Sequence, residues 1–289
     1  MTIGIVCNLS DGVIIGTDSA ITLQGESKSP NGRKTYGVLK VYNEAEKIFH
    51  LNNTSVGILT YGTAILGKRT IESYVRQFEL NESVVFSSKA LFDICESIRD
   101  FFFLKYDEII RPVLEETLGK KFNEIPDNKK PFIGLVLAGF SPGKPLSEVY
   151  NIIIPFHKEK KQIEKLREPG QFGTNWFGSV DPIRRLIKGF DINLINNIVG
   201  YFVKKHNIKF DNQSKNDVNK LLKSFEYKIP YDAMPLQQGI DHVKFLLDVV
   251  INHYKFVIGA PVCGGNVRIA AITKDGYKNL SNNELKINY

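Results

Sequence analysis

The opening segment constrains the fold more than any other. Thr2 to Leu9 is apolar and β-branched, Ser10-Asp11-Gly12 is a turn signal, and Val13 to Asp18 is apolar again. The chain therefore begins with a β-hairpin. Folding about Ser10-Asp11 sets Thr2 beside Asp18 and Ser19. An acid at the inner end of a hydrophobic strand is costly to bury unless a cation meets it. Lys47, at the start of the third strand segment, is the residue expected to supply that charge.

Beyond the hairpin, a stretch of Gly, Ser, Pro, Asn and Lys from Gln24 to about Tyr36 reads as a loop. Lys47 to Leu51 and Val56 to Tyr61 read as short strands joined by an Asn52-Asn53 turn. The period then changes. Ala64 to Leu80 and Val84 to Leu118 carry apolar residues at helical spacing, for example Phe92, Cys95 and Ile98. Strands return at Phe132 to Ala138 and Glu148 to Pro155. The Gly-rich stretch Gly170 to Ser179 leads into a short helix with Pro182 near its first turn and Gly189 after its end. Polar helices are expected over roughly Asp191 to Glu226 and an amphipathic helix over Leu236 to Tyr254. A last strand covers Val267 to Thr273 and closes on Lys274-Asp275-Gly276.

Runs of strands alternating with pairs of helices favour antiparallel sheets with helices packed outside over single βαβ units. The expected class is α+β: two sheets face to face under helix pairs, a four-layer αββα sandwich. One domain, residues 1–289, accommodates it, with a helical insertion at about 191–235.

Composition removes several function classes. No run of about 18 apolar residues offers a membrane span, and the N-terminus lacks the pattern of a secretory signal. Cys7, Cys95 and Cys263 are odd in number and widely spaced, so neither a disulfide framework nor a metal cluster is expected. The cytoplasm is the expected compartment. The net charge of +7 is concentrated between Tyr201 and Lys228, where seven lysines face three acids. Interleaved with Asn, Gln and Ser, they read as a solvated helical face, and neither nucleic acid nor membrane is expected as a partner. His242 and His253 sit too far apart on one helix to share an ion, and His50, His157 and His206 are isolated. No phosphate-binding loop and no nucleophile elbow is present, and no cofactor is expected.

What remains is Thr2 itself. Removal of Met1 would free its α-amine, which titrates near pH 7.7–8.0, beside its own hydroxyl. One residue would then supply nucleophile and general base together. A cation near both groups disfavours their protonation. Lys47 is the candidate cation and Asp18 its orienting anion; taken alone, Thr2 would be no more than the first β-branched residue of a strand.

These residues resemble a known family. Thr2-Ile3-Gly4-Ile5-Val6 followed by Asp11-Gly12-Val13-Ile14-Ile15-Gly16-Thr17-Asp18-Ser19 is similar to the opening of proteasome β-type subunits in the N-terminal-nucleophile (Ntn) hydrolase superfamily. The spacing of Thr2 and Asp18 matches, Glu46-Lys47-Ile48 resembles the family's lysine-isoleucine, and Tyr61-Gly62-Thr63-Ala64 resembles its Gly-x-Ala. The segments Gly264-Gly265-Asn266-Val267 and Ile272-Thr273-Lys274-Asp275-Gly276 resemble its closing strands. The resemblance covers residues 2–70 well and 256–277 fairly, and implies an oxyanion-binding role for the Gly62 N–H. There are departures. Ala20 stands where an arginine often follows, Gly178-Ser179 is the candidate for the supporting serine, and Ala260-Pro261-Val262-Cys263-Gly264-Gly265 replaces Asp-x-x-Ser-Gly-Gly without its aspartate.

The resemblance implies an amide-bond hydrolase, a threonine peptidase with Thr2, Asp18, Lys47, Gly62 and Ser179 at its site. It also implies copies of the chain assembled in a ring or particle, with an ATP-dependent unfoldase unidentified. The competing expectations are a non-catalytic proteasome-like scaffold or binding subunit and a hydrolase of small acyl-amides using the same nucleophile.

Overall fold

The computed structural model describes residues 2–28, 34–82, 86–155, 163–190, 192–207, 210–258 and 261–280. The opening hairpin forms as the turn signal dictates. β1 (Ile3–Asn8) and β2 (Val13–Asp18) pair antiparallel, with Gly4 opposite Thr17 and Asn8 opposite Val13. Every residue of both strands is buried. That explains an apolar run where a half-exposed strand would alternate.

The expected loop from Gln24 to Tyr36 is instead a second hairpin, β3 (Ile21–Lys28) with β4 (Lys34–Tyr42), bulged between Leu23 and Gln24. Gln24 to Lys28 are weak strand formers, but the two segments satisfy each other's backbone groups, which composition alone does not reveal. Residues 29–33 of that stretch lie outside the described residues. β5 (Ile48–His50) and β6 (Val56–Gly62) follow as expected.

The helix expected from Ala64 begins later. Ile65–Leu66 (β7) and Arg69–Thr70 (β8) make a small hairpin about Gly67-Lys68 before α1 (Ile71–Glu82) starts. The turn falls at Gly67, with φ +63°, a glycine inside an apolar period. α2 (Leu91–Leu118) is preceded by a 3₁₀ turn at Phe86–Ser88, and Val84 lies outside the described residues. β9 (Ile133–Gly139) and β10 (Glu148–Ile154) are the expected strands.

β11 (Ile163–Lys165) was not expected, and the Gly-rich stretch forms β12 (Gly173–Gly178). α3 (Asp181–Lys188) has Pro182 in its first turn and a left-handed Gly189 cap. α4 (Ile192–His206), α5 (Asn212–Lys223) and α6 (Leu236–Phe256) complete the helices, and β13 (Val267–Thr273) pairs with β14 (Gly276–Asn279). Asp191 and His157 lie outside the described residues.

The main strands form two five-stranded sheets, in the orders β12-β1-β2-β13-β14 and β11-β10-β9-β6-β5. All their neighbours are antiparallel. Alternation then sorts the side chains. Val6, Val13 and Ile15 point one way from the first sheet and share a core with Leu59, Val136 and Ala138 of the second. Ile3, Ile5, Cys7 and Ile14 point the other way, against Ile183 of α3 and Val243 and Leu247 of α6. The outward side chains of the second sheet, Ile58, Leu135 and Ile152 among them, pack with Phe78 of α1 and Ile94, Ile98 and Phe102 of α2. Each such side chain contributes about 1.5–3 kcal/mol by leaving water. The result is an α+β fold of antiparallel sheets and, among the described residues, six α-helices. It fixes the ends of β1, β2, β5 and β6 on one another.

Candidate active site

Those strand ends gather the site. Thr2 precedes β1 and is 5% exposed. Its hydroxyl donates to Asp18 Oδ1 at 3.0 Å. Lys47, just before β5, donates from Nζ to the Thr2 hydroxyl, to Asp18 Oδ1 at 2.8 Å and to the Ala20 carbonyl at 2.7 Å. Three acceptors match the three donors of an ammonium group, so the hydrogen bonding suits a charged lysine. Burial pushes the Lys47 ammonium below the ordinary lysine range, and the Asp18 charge and hydrogen bond oppose that shift.

Asp18 is completely buried. Besides Thr2 and Lys47, it accepts from the N–H groups of Ile3 at 3.2 Å, Ala20 at 3.3 Å and Gly264 at 3.0 Å. It offers nothing and receives five donors, the pattern of a carboxylate. Position 20 serves the site through its main-chain N–H and carbonyl. Ser19 completes the junction, accepting from Asn266 N–H at 2.7 Å and donating to the Asn43 carbonyl.

Ser179 reaches Thr2 through the backbone, its N–H donating to the Thr2 carbonyl at 2.9 Å. The preceding Gly178 has φ +82°, and a Cβ there would lie 1.9 Å from the Thr2 carbonyl oxygen. Only glycine permits that approach. The Ser179 side chain lies near Tyr254 and Cys263, and its hydroxyl opposes the upward shift that burial gives both groups. Burial pushes the Cys263 thiol up to about 12, so it is neutral, although it lies within reach of the charges of Asp18 and Lys47. Tyr254 and Cys263 were absent from the candidate site residues. The signal for Cys263 was its place before Gly264-Gly265, where the family motif carries serine; for Tyr254 there was none beyond its place on the helix. Ala260 and Met1 lie outside the described residues.

Gly62 ends β6 with φ +88°, and a Cβ there would meet the Phe132 carbonyl at 2.5 Å. It lines a cavity of about 490 Å³ together with Thr2 and Lys47. Thus Thr2, Asp18 and Lys47 are in direct contact, Gly62 shares a cavity with Thr2 and Lys47, and Ser179 joins through the Thr2 carbonyl. Chemically, the arrangement holds a hydroxyl between an anionic acceptor and a cation, open to a space the size of a ligand site. Among the described residues no group of three His, Cys, Asp or Glu converges as a metal site would require. None of the described helices is long and apolar enough to cross a membrane.

No protein-family model matches the chain, and no curated protein matches it. Solved structures do match. One is a mutant of Anbu from Hyphomicrobium sp. strain MC1, which superposes with a TM-score of 0.52 at 9% sequence identity over 99% of this chain and 89% of that one. This likeness speaks to the fold, a distant proteasome-like one.

Proposed function

We propose that the chain is an amide-bond hydrolase, a proteasome-like threonine peptidase that uses Thr2 as nucleophile once Met1 is removed. The observation that carries the reading is the buried hydrogen-bonded set of Thr2, Lys47 and Asp18 opening onto a cavity. In this reading the two sheets and their outer helices form a four-layer αββα sandwich of the Ntn type, spanning the chain as one domain.

The chemistry follows from the residues. The Thr2 Oγ bonds to the substrate carbonyl carbon as its proton passes to the Thr2 α-amine. The carbonyl oxygen, now anionic, takes the Gly62 N–H. Collapse breaks the C–N bond and the amine returns the proton to the leaving nitrogen. Water, deprotonated by the same amine, then cleaves the ester and restores the hydroxyl. Lys47 lowers the cost of charge on Oγ, Asp18 holds Lys47, and Ser179 fixes the Thr2 backbone. Copies of the chain assemble with one another in the same reading, and light scattering at micromolar concentration reads the particle mass.

Hydrolysis of a fluorogenic peptide-amide library by the native protein tests the reading: Thr2→Ala should abolish turnover and Thr2→Ser should retain part of it. Turnover that survives Thr2→Ala overturns it. A second reading, a non-catalytic scaffold, is favoured by one observation, the segment Ala260-Pro261-Val262-Cys263-Gly264-Gly265 standing where Asp-x-x-Ser-Gly-Gly would, with neither its aspartate nor its serine.

A further inference from the structure

The cavity that opens onto Thr2 has a one-sided charge. Its lining includes Glu44, Glu46 and Glu72, whereas the lysine on its wall, Lys47, is already held by Asp18. Glu44 is accounted for: it accepts from Arg268 at 3.1 Å and from Asn266 at 2.7 Å. Glu46 and Glu72 also feel each other. Burial pushes the Glu46 carboxyl up and the charge of Glu72 adds to it, and the Ile48 and Lys47 N–H groups and the Arg268 charge, itself engaged with Glu44, do not cancel that shift. Glu72 lies in the first turn of α1, where the helix dipole helps hold a negative charge in place. The same lining includes the apolar residues Ile21, Ile65 and Ile71.

An aliphatic stem that ends in a cation fits such a wall. The methylenes would lie along the isoleucines and the charge would sit between two carboxylates that otherwise repel one another. The cavity beside the nucleophile marks the place as a site, and the carboxylates give its chemistry.

We propose that this cavity selects a lysine or arginine side chain on the acyl side of the bond that Thr2 attacks, with Glu46 and Glu72 as the specificity-determining residues. The proposal rests on the reading of Thr2 as nucleophile, and its test is arranged so that the two can fail separately.

The first measurement is binding to the full-length protein without turnover. Benzamidine, a cation, should bind at least about tenfold tighter than benzamide, its neutral near-isostere, and Glu46→Gln with Glu72→Gln should erase the difference. The second is the ratio of kcat/KM for two peptide amides that differ only by arginine against norleucine on the acyl side. That ratio should exceed about ten and collapse toward one in the double variant. Each single variant should lose part of the ratio, which decides the point if the double variant does not fold. Equal binding of benzamidine and benzamide, or a norleucine preference that the Gln variants leave unchanged, overturns the proposal while peptide hydrolysis stands. Benzamidine selectivity that depends on Glu46 and Glu72, with no hydrolysis of either peptide, overturns the nucleophile reading instead.

Discussion

Replacing Lys47 by methionine separates the site's electrostatics from its packing, because methionine keeps most of the side-chain length. Lys47 and Asp18 form an ion pair at 2.8 Å with side chains 7% and 0% exposed. Removing one partner of a buried pair leaves the other uncompensated, a loss of about 3–5 kcal/mol. The Thr2 hydroxyl and the Ala20 carbonyl also lose a donor; Thr2 lines the adjoining cavity, where water can replace the lost bond. The expected destabilisation of Lys47→Met is therefore about 3–5 kcal/mol, a large share of the roughly 5–15 kcal/mol typical of a folded protein. Urea unfolding at pH 7 with linear extrapolation measures it, at unchanged m. Asp18→Asn keeps the side-chain shape and removes the charge, and the two losses should fall short of additivity, since each breaks the same pair. A loss below about 1 kcal/mol for Lys47→Met, or strict additivity in the double variant, would refute a charged, coupled pair.

Four further outcomes follow. Gly178→Ala should destabilise by more than about 2 kcal/mol and suppress turnover, because a left-handed backbone and a contact with the Thr2 carbonyl both forbid its Cβ; thermal melts and peptide turnover check both parts. Glu46 has a folded pKa above the ordinary 4.5, so its favourable contribution is complete below pH 4.5 and is lost as pH rises through the folded value; Glu46→Gln should accordingly raise Tm at pH 7, with the gain vanishing below pH 4.5. Labelling of Thr2 by an electrophile should slow as Lys47 loses its proton, and the lowered Lys47 pKa puts that alkaline limb below the ordinary 10.5. Cys263, buried and held as a thiol at neutral pH, should resist iodoacetamide in the native protein and react once unfolded, as mass spectrometry will read.

The part of this site that the sequence made legible is the part built by local rules. A turn at Ser10-Asp11 fixes the register of β1 on β2 and so brings Thr2 to Asp18. A buried acid demands a cation, and Lys47 was the residue placed to meet it. The α3 boundaries came from Pro182 and Gly189, and α6 from its apolar spacing. The rest depended on long-range pairing. β3 and β4 are strands because they face each other, and β12 is a strand because β1 offers it an edge along Ile3 to Asn8. Periodicity also hid the β7–β8 turn inside what read as one helix. Tyr254 and Cys263 come near Ser179 from α6 and the segment before β13, and only Cys263, placed before Gly264-Gly265, had any local signal.

The central claim is that Thr2 reacts through its own hydroxyl and free amine. The direct measurement is mass spectrometry of protein purified from its own cells and treated with a peptide epoxyketone, which requires both groups. The account predicts an N-terminal peptide that begins at Thr2 and carries one equivalent of label, absent from Thr2→Ala. An N-terminal peptide that retains Met1 and carries no label would contradict it, because the amine needed as base would be locked in a peptide bond.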